Sequence, residues 1–408
     1  MILRSIFKVT ALVLLSSLLT GCFNWAARAV EKIPKETALD KSYNYNGKVI
    51  IIGAGGSGLA AAKILERNNI DYTILEATNR YGGRLKKDTT LADFPIDLGA
   101  EWIHSHPKVL NAIKGKKGEE IDEELIPYKL ENTVKWDGKS LKSANRYWKW
   151  FYRFMPESKF KNSTWYDFMD QNIAQEVKHK ILFNSPVSTI DYSGKNVMVR
   201  IENGDTYMAD KVLVTVPVGV LQAGKIEFIP ALNEKKNKAI NAISFLPGFK
   251  VAMKFSEKFY PDIIQTETGY GTKGGETTFY DMAFKKEAKT HILGFLCAGK
   301  EAKSYYAMES KEAIVESLIQ ELDQMFDGKA SETFTGEFVM EDWSQQEFTR
   351  GTWVVAPFEK TSDLKTIAEP LDKRVYFAGG TVDPHRQMGA PGSMLSGYYY
   401  IDKLLTEE

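Results

Sequence analysis

The chain has 408 residues, and its 53 lysines and arginines balance 53 aspartates and glutamates. Without an excess of positive charge, there is no electrostatic case for nucleic-acid binding. The length exceeds that of a usual single domain, which indicates two intertwined domains, and the sequence contains no internal repeat and no cluster of metal-ligating residues.

Residues 1–22 have the pattern of a secretory signal. Two cations, Arg4 and Lys8, precede an apolar run at 9–19 that is too short to span a bilayer as a stable helix. The run ends in Leu-Thr-Gly-Cys, which resembles a bacterial lipoprotein signal. We therefore expect Cys22 to be lipidated and the protein to cross the inner membrane and stay anchored at the periplasmic side or the cell surface. An ordinary cleaved signal or an uncleaved anchor is the alternative.

Residues 23–47 are polar, mixed in charge and interrupted by Pro34, which is typical of a tether. Besides Cys22 the chain has one cysteine, Cys297, in an apolar run at 291–298. If Cys22 is acylated, no intrachain disulfide can form. We expect Cys297 to be a buried, inert thiol.

The stretch from Lys48 to Glu76 has the pattern of a dinucleotide-binding unit. The β-branched run at 49–52 predicts a strand buried on both faces, and the helix that follows begins in a glycine-rich turn. Gly53 makes the turn, Gly55 lets a pyrophosphate approach the backbone, and Gly58 lets the helix pack against the strand. A second strand ends at Glu76, which is placed to accept hydrogen bonds from an adenosine ribose.

A second glycine-rich turn follows at 77–84, and it ends in Gly83 and Arg84. Backbone N–H groups and a guanidinium in such a turn suit the far end of a pyrophosphate. The run resembles the second glycine motif of FAD-dependent two-dinucleotide-binding-domain flavoproteins.

The run DLGAEWIH at 97–104 predicts a strand that enters a turn of small residues, where Gly99 and Ala100 permit close approach of a flat ring. Together with the two glycine turns, it resembles the flavin-containing amine oxidases, the monoamine and polyamine oxidase family. The resemblance implies that residues 99–102, which include Glu101 and Trp102, contact FAD. It also implies that His104 lines the substrate cavity, and a loop histidine without a catalytic role is the alternative.

Residues 181–216 return to strands. The runs at 185–190 and 197–201 alternate as half-buried strands, residues 203–205 predict a hairpin turn, and 211–217 reads as another buried parallel strand. By the resemblance, Val187 occupies the position whose backbone contacts the adenine.

The run at 245–255 alternates so that Lys250 and Lys254 share one face of a strand. A lysine in a strand is usually solvated. The resemblance implies that Lys250, and not Lys254, holds a water against flavin N5, where its ammonium would also stabilise negative charge on the reduced ring.

Further strands are predicted at 279–284, 291–298 and 338–343, and an amphipathic helix at 311–326. The resemblance implies that Trp343 lies near the substrate cavity, and a role in the hydrophobic core is the alternative. For the aromatic run at 147–152 we favour a role in the hydrophobic core over one in lining a cavity.

The C-terminal part predicts a short strand that runs into Gly379 and Gly380, and then a helix whose N-terminus directs backbone N–H groups at the flavin. This resembles the family's C-terminal FAD motif, and the residues at the helix start are Gly392, Ser393 and Met394.

The C-terminal motif also departs from the family. Gly380 stands where the family has a glutamate, and Gly389 stands where monoamine oxidases have a cage tyrosine. The cysteine that tethers FAD in monoamine oxidases is absent, so we expect non-covalent FAD.

The expected fold class is α/β, with a Rossmann-like FAD-binding domain of the two-dinucleotide-binding type and an α+β substrate domain. We assign 48–101, 181–244 and 361–408 to the FAD-binding domain. The intervening segments, 102–180 and 245–360, are assigned to the substrate domain.

The resemblance implies an FAD-dependent amine oxidase, with a polyamine-like amine favoured, that forms an imine and reduces O2 to H2O2. Three alternatives stay open. The first is a flavin-dependent dehydrogenase or desaturase that acts on a C–C bond. The second is an L-amino acid oxidase with Arg386 on the carboxylate, and the third is an FAD-binding protein that has lost catalysis.

Overall fold

The computed structural model describes residues 34–129, 131–143, 157–266, 275–354, 360–386 and 389–407. The predicted signal, Cys22 and the aromatic run at 147–152 lie outside the described residues. Within the described ranges, no helix is both long and apolar enough to cross a bilayer.

A five-stranded, fully parallel sheet forms the centre of the first half of the fold. Its middle strand is the predicted β-branched run Val49–Ile52, which is buried on both faces. The strands come from the three segments that were assigned to the FAD-binding domain. In spatial order they are Val375–Phe377, Lys211–Val214, Val49–Ile52, Tyr72–Leu75 and Ile181–Leu182.

Two helices pack closely on this sheet because glycines remove the side chains that would separate them. A Cβ on Gly58 would overlap the carbonyl oxygen of Gly53, and a Cβ on Gly397 would overlap that of Ser57. The helix Gly56–Arg67 therefore lies directly against both its own strand and the C-terminal helix Gly389–Thr406.

The chain segment 187–229 forms a four-stranded sheet apart from Lys211–Val214, which belongs to the parallel sheet. The predicted turn at 203–205 joins two of its antiparallel strands, with Gly204 at a φ of 97°. In spatial order the strands are Thr206–Ala209, Val197–Ile201, Val187–Asp191 and Glu227–Ile229.

A seven-stranded mixed sheet draws all its strands from the segments that were assigned to the substrate domain. The predicted strand around Lys250 is Gly248–Phe255, and Cys297 is fully buried in the strand beside it, as expected. The order is Phe334–Asp342, Gly248–Phe255, His291–Gly299, Gly275–Asp281, Ile263–Gln265, Thr133–Trp136 and Leu141–Ser143.

The remaining elements are helices and two small antiparallel sheets of two strands each. The predicted amphipathic helix is Lys311–Phe326, and its Ser310 N-cap accepts a hydrogen bond from Ala313 N. The other α-helices are Lys108–Lys114, Trp165–Met169, Gln175–Val177, Val218–Gln222, Glu234–Ala242, Ala302–Tyr306, Lys329–Thr333 and Thr361–Ala368. The two small sheets pair Lys87–Asp88 with Ile96–Asp97, and Leu125–Pro127 with Ser158–Phe160.

Candidate active site

A cavity of about 870 Å³ runs from the glycine turns of the parallel sheet to the face of the seven-stranded sheet. Most of the predicted site residues line it. Those in the wall are Gly53, Gly55, Glu76, Gly83, Arg84, Gly99, Ala100, Glu101, Trp102, His104, Val187, Lys250, Trp343, Gly380 and Ser393. Those behind the wall are Gly58, Gly379, Gly392 and Met394.

The two glycine-rich turns meet at one end of the cavity. Gly82 N donates to Ala54 O at 2.8 Å, and Gly55 pairs with Gly82 as a parallel bridge. Here the hydroxyl of Ser57 is buried, lies at the N-terminus of a helix and has no hydrogen-bond partner among the described residues. A partnerless hydroxyl beside free helix N–H groups fits a phosphate, so this end of the cavity suits the pyrophosphate of FAD.

Glu76 lies at the end of the strand Tyr72–Leu75, as predicted. Its Oε2 accepts from Ala54 N at 2.7 Å, and its Oε1 accepts from the hydroxyl of Thr78 at 2.7 Å. These bonds fix the carboxylate at the cavity wall. Oε1 also accepts from Thr78 N at 3.0 Å, so the lone pair that a ribose hydroxyl can use is on Oε2.

The guanidinium of Arg84 lies in the cavity wall and makes one hydrogen bond to the described residues. Its Nη1 donates to Thr352 O, its plane lies 5.5 Å from the Phe245 ring centroid, and burial lowers the pKa of Arg84 to about 10. In contrast, the guanidinium of Arg80 donates to three carbonyl oxygens of its own turn. Arg84 is therefore the arginine that is available to an anion such as a pyrophosphate.

The turn at Gly99 is held from both sides. A Cβ at Gly99 would overlap Arg84 O and come within 3.3 Å of Cζ2 of Trp343. Trp343, which is buried, donates its indole N–H to Leu98 O at 3.0 Å. Trp343 thus supports the turn from behind and also reaches the cavity.

Lys250 is buried beneath the same turn and uses all three of its donors on protein acceptors. Its Nζ donates to Asp97 O at 3.0 Å, to Gly99 O at 2.8 Å and to Glu101 Oε2 at 2.9 Å. An ammonium has three donors, so a water on Lys250 would have to replace one of these acceptors. The water-holding role that the resemblance implies stays a prediction.

Glu101 is the acceptor that joins this lysine to a second one. Its Oε2 also accepts from the hydroxyl of Tyr280 at 2.7 Å, and its Oε1 forms an ion pair with Lys159. Burial acts to raise the pKa of Glu101, but the two ammonium groups outweigh it and hold that pKa at about 2. Its carboxylate is therefore ionised and engaged within the protein.

At the other end of the cavity, His104 lies among carboxylates. Its Nδ1 is 3.2 Å from Glu157 Oε1. Burial opposes protonation of His104, but the hydrogen bond to Glu157 and the charge of Glu276 raise its pKa above the usual value. Burial raises the pKa of Glu276 to about 7, although Thr278 donates to it at 3.1 Å. Two carboxylates face one imidazole here, so this end carries net negative charge and suits a cationic group when Glu276 is ionised.

The C-terminal motif differs in detail from the prediction. The helix begins at Gly389, three residues earlier than expected, so Gly389, Ala390 and Ser393 line the cavity instead of Gly392 and Met394. A Cβ on Gly380 would have its nearest neighbours at 3.7 Å or beyond, which leaves room where the family's glutamate is missing.

Arg386 does not line the cavity. Its guanidinium stacks 4.1 Å from the Tyr399 ring centroid and pairs with Asp383 at 3.4 Å. The arginine that was considered for a substrate carboxylate is therefore occupied elsewhere.

Among the wall residues that the sequence analysis did not single out, four carry the description of the site: Ser57, Glu157, Glu276 and Tyr280. Ser57 could have been found as the hydroxyl just after the glycines of the first turn. The alternation of Glu276, Thr278 and Tyr280 along one strand is a second signal, because these three side chains share one face. No motif or periodic pattern in the sequence around Glu157 indicates a site residue.

Comparison with known proteins agrees with this geometry. The family model described as "Flavin containing amine oxidoreductase" matches residues 57–144 and 149–399. Human lysine-specific histone demethylase 2 is 27% identical and the alignment covers 90% of this chain, but the chain spans only 54% of that relative's length. Probable polyamine oxidase 4 of Arabidopsis thaliana is 24% identical, with 88% of this chain and 87% of that protein covered.

A solved structure shows the same fold. Cyclohexylamine oxidase from Brevibacterium oxydans IH-35A superposes with a TM-score of 0.70 at 17% identity, over 88% of this chain and 99% of that chain. This likeness confirms the predicted fold class, an α/β FAD-binding domain combined with a substrate domain. The match to the family model over most of the sequence goes further, and it shows that this chain belongs to the flavin-containing amine oxidoreductases, whose cofactor is FAD.

Proposed function

We propose that the protein oxidises an amine that carries a second, cationic nitrogen, as a polyamine does, to an imine, with O2 reduced to H2O2. The observation that carries the proposal is the acidic end of the cavity, where Glu157 and Glu276 lie beside His104. The opposite end holds the two glycine turns. One cavity therefore joins a cation-binding end to a cofactor-binding end.

FAD, when bound, supplies the redox chemistry: it accepts a hydride equivalent from the carbon next to the amine nitrogen and passes two electrons to O2. The protein's own groups bind and orient the substrate. The carboxylates attract the remote ammonium, and the rings of Trp102 and Tyr280, with centroids 4.9 Å apart, form an apolar wall between the two ends. Burial of the reacting nitrogen favours its neutral form, which is the form that can be oxidised.

The test is anaerobic reduction of the purified flavoprotein from residue 23 onward, which keeps residues that pack on the folded body: Ala38 is buried, and Tyr43 donates to Asp402 at 2.6 Å. Spermidine, benzylamine and L-phenylalanine are added separately while the flavin absorbance near 450 nm is followed, and air is then admitted. We expect bleaching by spermidine, and recovery with release of one H2O2 per flavin.

The other outcomes separate the alternatives. Bleaching by L-phenylalanine alone would favour an amino acid oxidase, which the position of Arg386 does not support. Bleaching without peroxide on aeration would identify a dehydrogenase. A bound flavin that no amine and no amino acid reduces would contradict the proposal and favour a C–C dehydrogenase or a non-catalytic protein.

A further inference from the structure

A charge cluster of Lys159, Glu101 and Lys250 lies at the cavity wall, where Glu101 and Lys250 line the cavity and Lys159 lies behind them. The amine binding proposed above uses none of the three. The side chains of all three residues are at most 5% exposed. Glu101 is the link, because one of its oxygens pairs with Lys159 and the other accepts from Lys250 at 2.9 Å.

Lys159 has no carboxylate of its own in this cluster. Its ammonium lies 5.2 to 5.8 Å from the ring centroids of Trp102, Tyr128 and Tyr280, and it shares Glu101 with Lys250. Such an aromatic surround stabilises a cation without cancelling its charge.

The three side chains carry one net positive charge. Two ammonium groups face one carboxylate. Burial and the charge of Glu101 raise the pKa of the nearby Asp97 well above its usual value, which favours its neutral form. Among the described neighbours, Lys286 is a further cation, and it donates to Phe160 O and Lys161 O.

Folding stability does not explain this arrangement. Taking charged groups out of water costs several kcal/mol for each ion, and well-packed apolar side chains of similar volume are often as stabilising as a buried ion cluster. A second buried lysine therefore has its main effect on the electrostatic potential of the cavity. Glu101 and Lys250 both line this cavity, next to Gly99 and Ala100.

We propose that Lys159 and Glu101 are positioning residues that fix the ammonium of Lys250 and set one net positive charge at the cavity wall, where it stabilises the reduced, anionic flavin. Preorganised charge in a water-excluded site acts strongly on charge that develops there. The inference depends on FAD as cofactor and not on the identity of the amine.

The test is the midpoint potential of the bound flavin, measured by dithionite titration against a reference dye without any amine. Lys159→Met removes one positive charge, and we expect about a tenfold weaker stabilisation of the reduced flavin. For a two-electron couple this is a fall of about 30 mV. Glu101→Gln removes the negative charge, so the potential should rise by a similar amount.

The double variant Lys159→Met with Glu101→Gln leaves Lys250 as the one charged member of the cluster, so its potential should return to that of the wild type. Lys159→Arg keeps the charge and should also leave the potential near the wild-type value. Lys254→Met is the matched control, because Lys254 lies on the same strand but pairs at the surface with Glu337.

Circular dichroism and the flavin-to-protein absorbance ratio identify which variants are folded and loaded. If Glu101→Gln does not retain flavin, the proposal is tested by the difference in midpoint potential between Lys159→Met and Lys159→Arg alone. Equal potentials in Lys159→Met, Lys159→Arg and the wild type would overturn the proposal, and so would a shift of the same sign in Lys159→Met and Glu101→Gln. The midpoint potential is measured without an amine, so it tests this proposal even if the protein does not oxidise amines.

Discussion

Gly99 and Gly380 differ in the space around the missing side chain, and this gives a matched pair of substitutions. A Cβ at Gly99 would overlap Arg84 O, whereas at Gly380 the nearest atoms lie at 3.7 Å. We expect Gly99→Ala to displace the turn, to lose flavin on gel filtration and to lower the free energy of unfolding by about 1–3 kcal/mol. Gly380→Ala should keep both flavin and stability. Retention of full flavin by Gly99→Ala would contradict this account.

Glu276 gives the cavity a pH dependence. Its pKa is about 7, so it is mostly neutral below pH 7 and ionised above it. A remote ammonium on the substrate is attracted to the ionised form, so KM for 1,4-diaminobutane should fall as the pH rises through 7. In Glu276→Gln that fall should be smaller, since only the titration of His104 beside Glu157 is left to cause it, and KM at pH 8 should be about tenfold higher.

The monoamine 1-aminobutane is the control substrate for Glu276, because it lacks the second nitrogen. Its KM should be nearly the same in Glu276→Gln and in the wild type at pH 8. An equal loss for both amines would show that Glu276 acts on folding or on the flavin.

The two lysines of the strand Gly248–Phe255 show what the sequence could and could not predict at a residue. Alternation placed Lys250 and Lys254 on one face, and the structure has them there. Lys250 is 1% exposed and Lys254 pairs with Glu337 at the surface. Periodicity could not distinguish them, because the difference comes from the turn at Gly99 and from Glu101, which are about 150 residues away in the chain.

At the scale of elements, the contact between the helices Gly56–Arg67 and Gly389–Thr406 depends on Gly397. A methyl group there would overlap Ser57 O and push the helices apart. We expect Gly397→Ala to lower the free energy of unfolding in urea by about 1–3 kcal/mol and to weaken flavin binding. Gly194→Ala, at a turn where the nearest atom is 3.7 Å away, should change neither.

Elements with strong periodicity were predicted with the correct bounds, as for the helix Lys311–Phe326. Three others begin earlier than predicted, for physical reasons. The strand predicted at 338–343 is Phe334–Asp342, because it pairs with Gly248–Phe255 from Phe334 onward. The last helix starts at Gly389 because Pro391 lies in its first turn, where a missing N–H costs nothing. The strand Gly275–Asp281 includes Glu276 and Thr277 because it pairs with His291–Gly299 along its whole length, and polar residues give no strand signal in isolation.

At the scale of the whole molecule, the assignment of three segments to one FAD-binding domain stays a prediction, made from the family resemblance and from the glycine motifs at both ends. The strand order of the parallel sheet places Lys211–Val214 between Val49–Ile52 and Val375–Phe377. This order follows from long-range pairing that composition and periodicity do not encode.

The predicted lipid anchor is also a property of the whole chain. Cys22 lies outside the described residues, so its modification stays a prediction from the sequence. We propose that the full-length protein incorporates labelled palmitate and sediments with membranes. Cys22→Ala should abolish the labelling and release the protein from the membrane fraction. A variant that stays membrane-bound would favour an uncleaved anchor.

The central claim is that the acidic end of the cavity selects an amine with a second positive charge. The most direct measurement is the rate constant for anaerobic flavin reduction by 1,4-diaminobutane and by 1-aminobutane at equal, subsaturating concentrations at pH 8. These amines have the same carbon chain and differ in one ammonium group. We predict that the diamine reduces the flavin at least about tenfold faster, as expected for one hydrogen bond to a charged group. Equal rates, or faster reduction by the monoamine, would contradict the account.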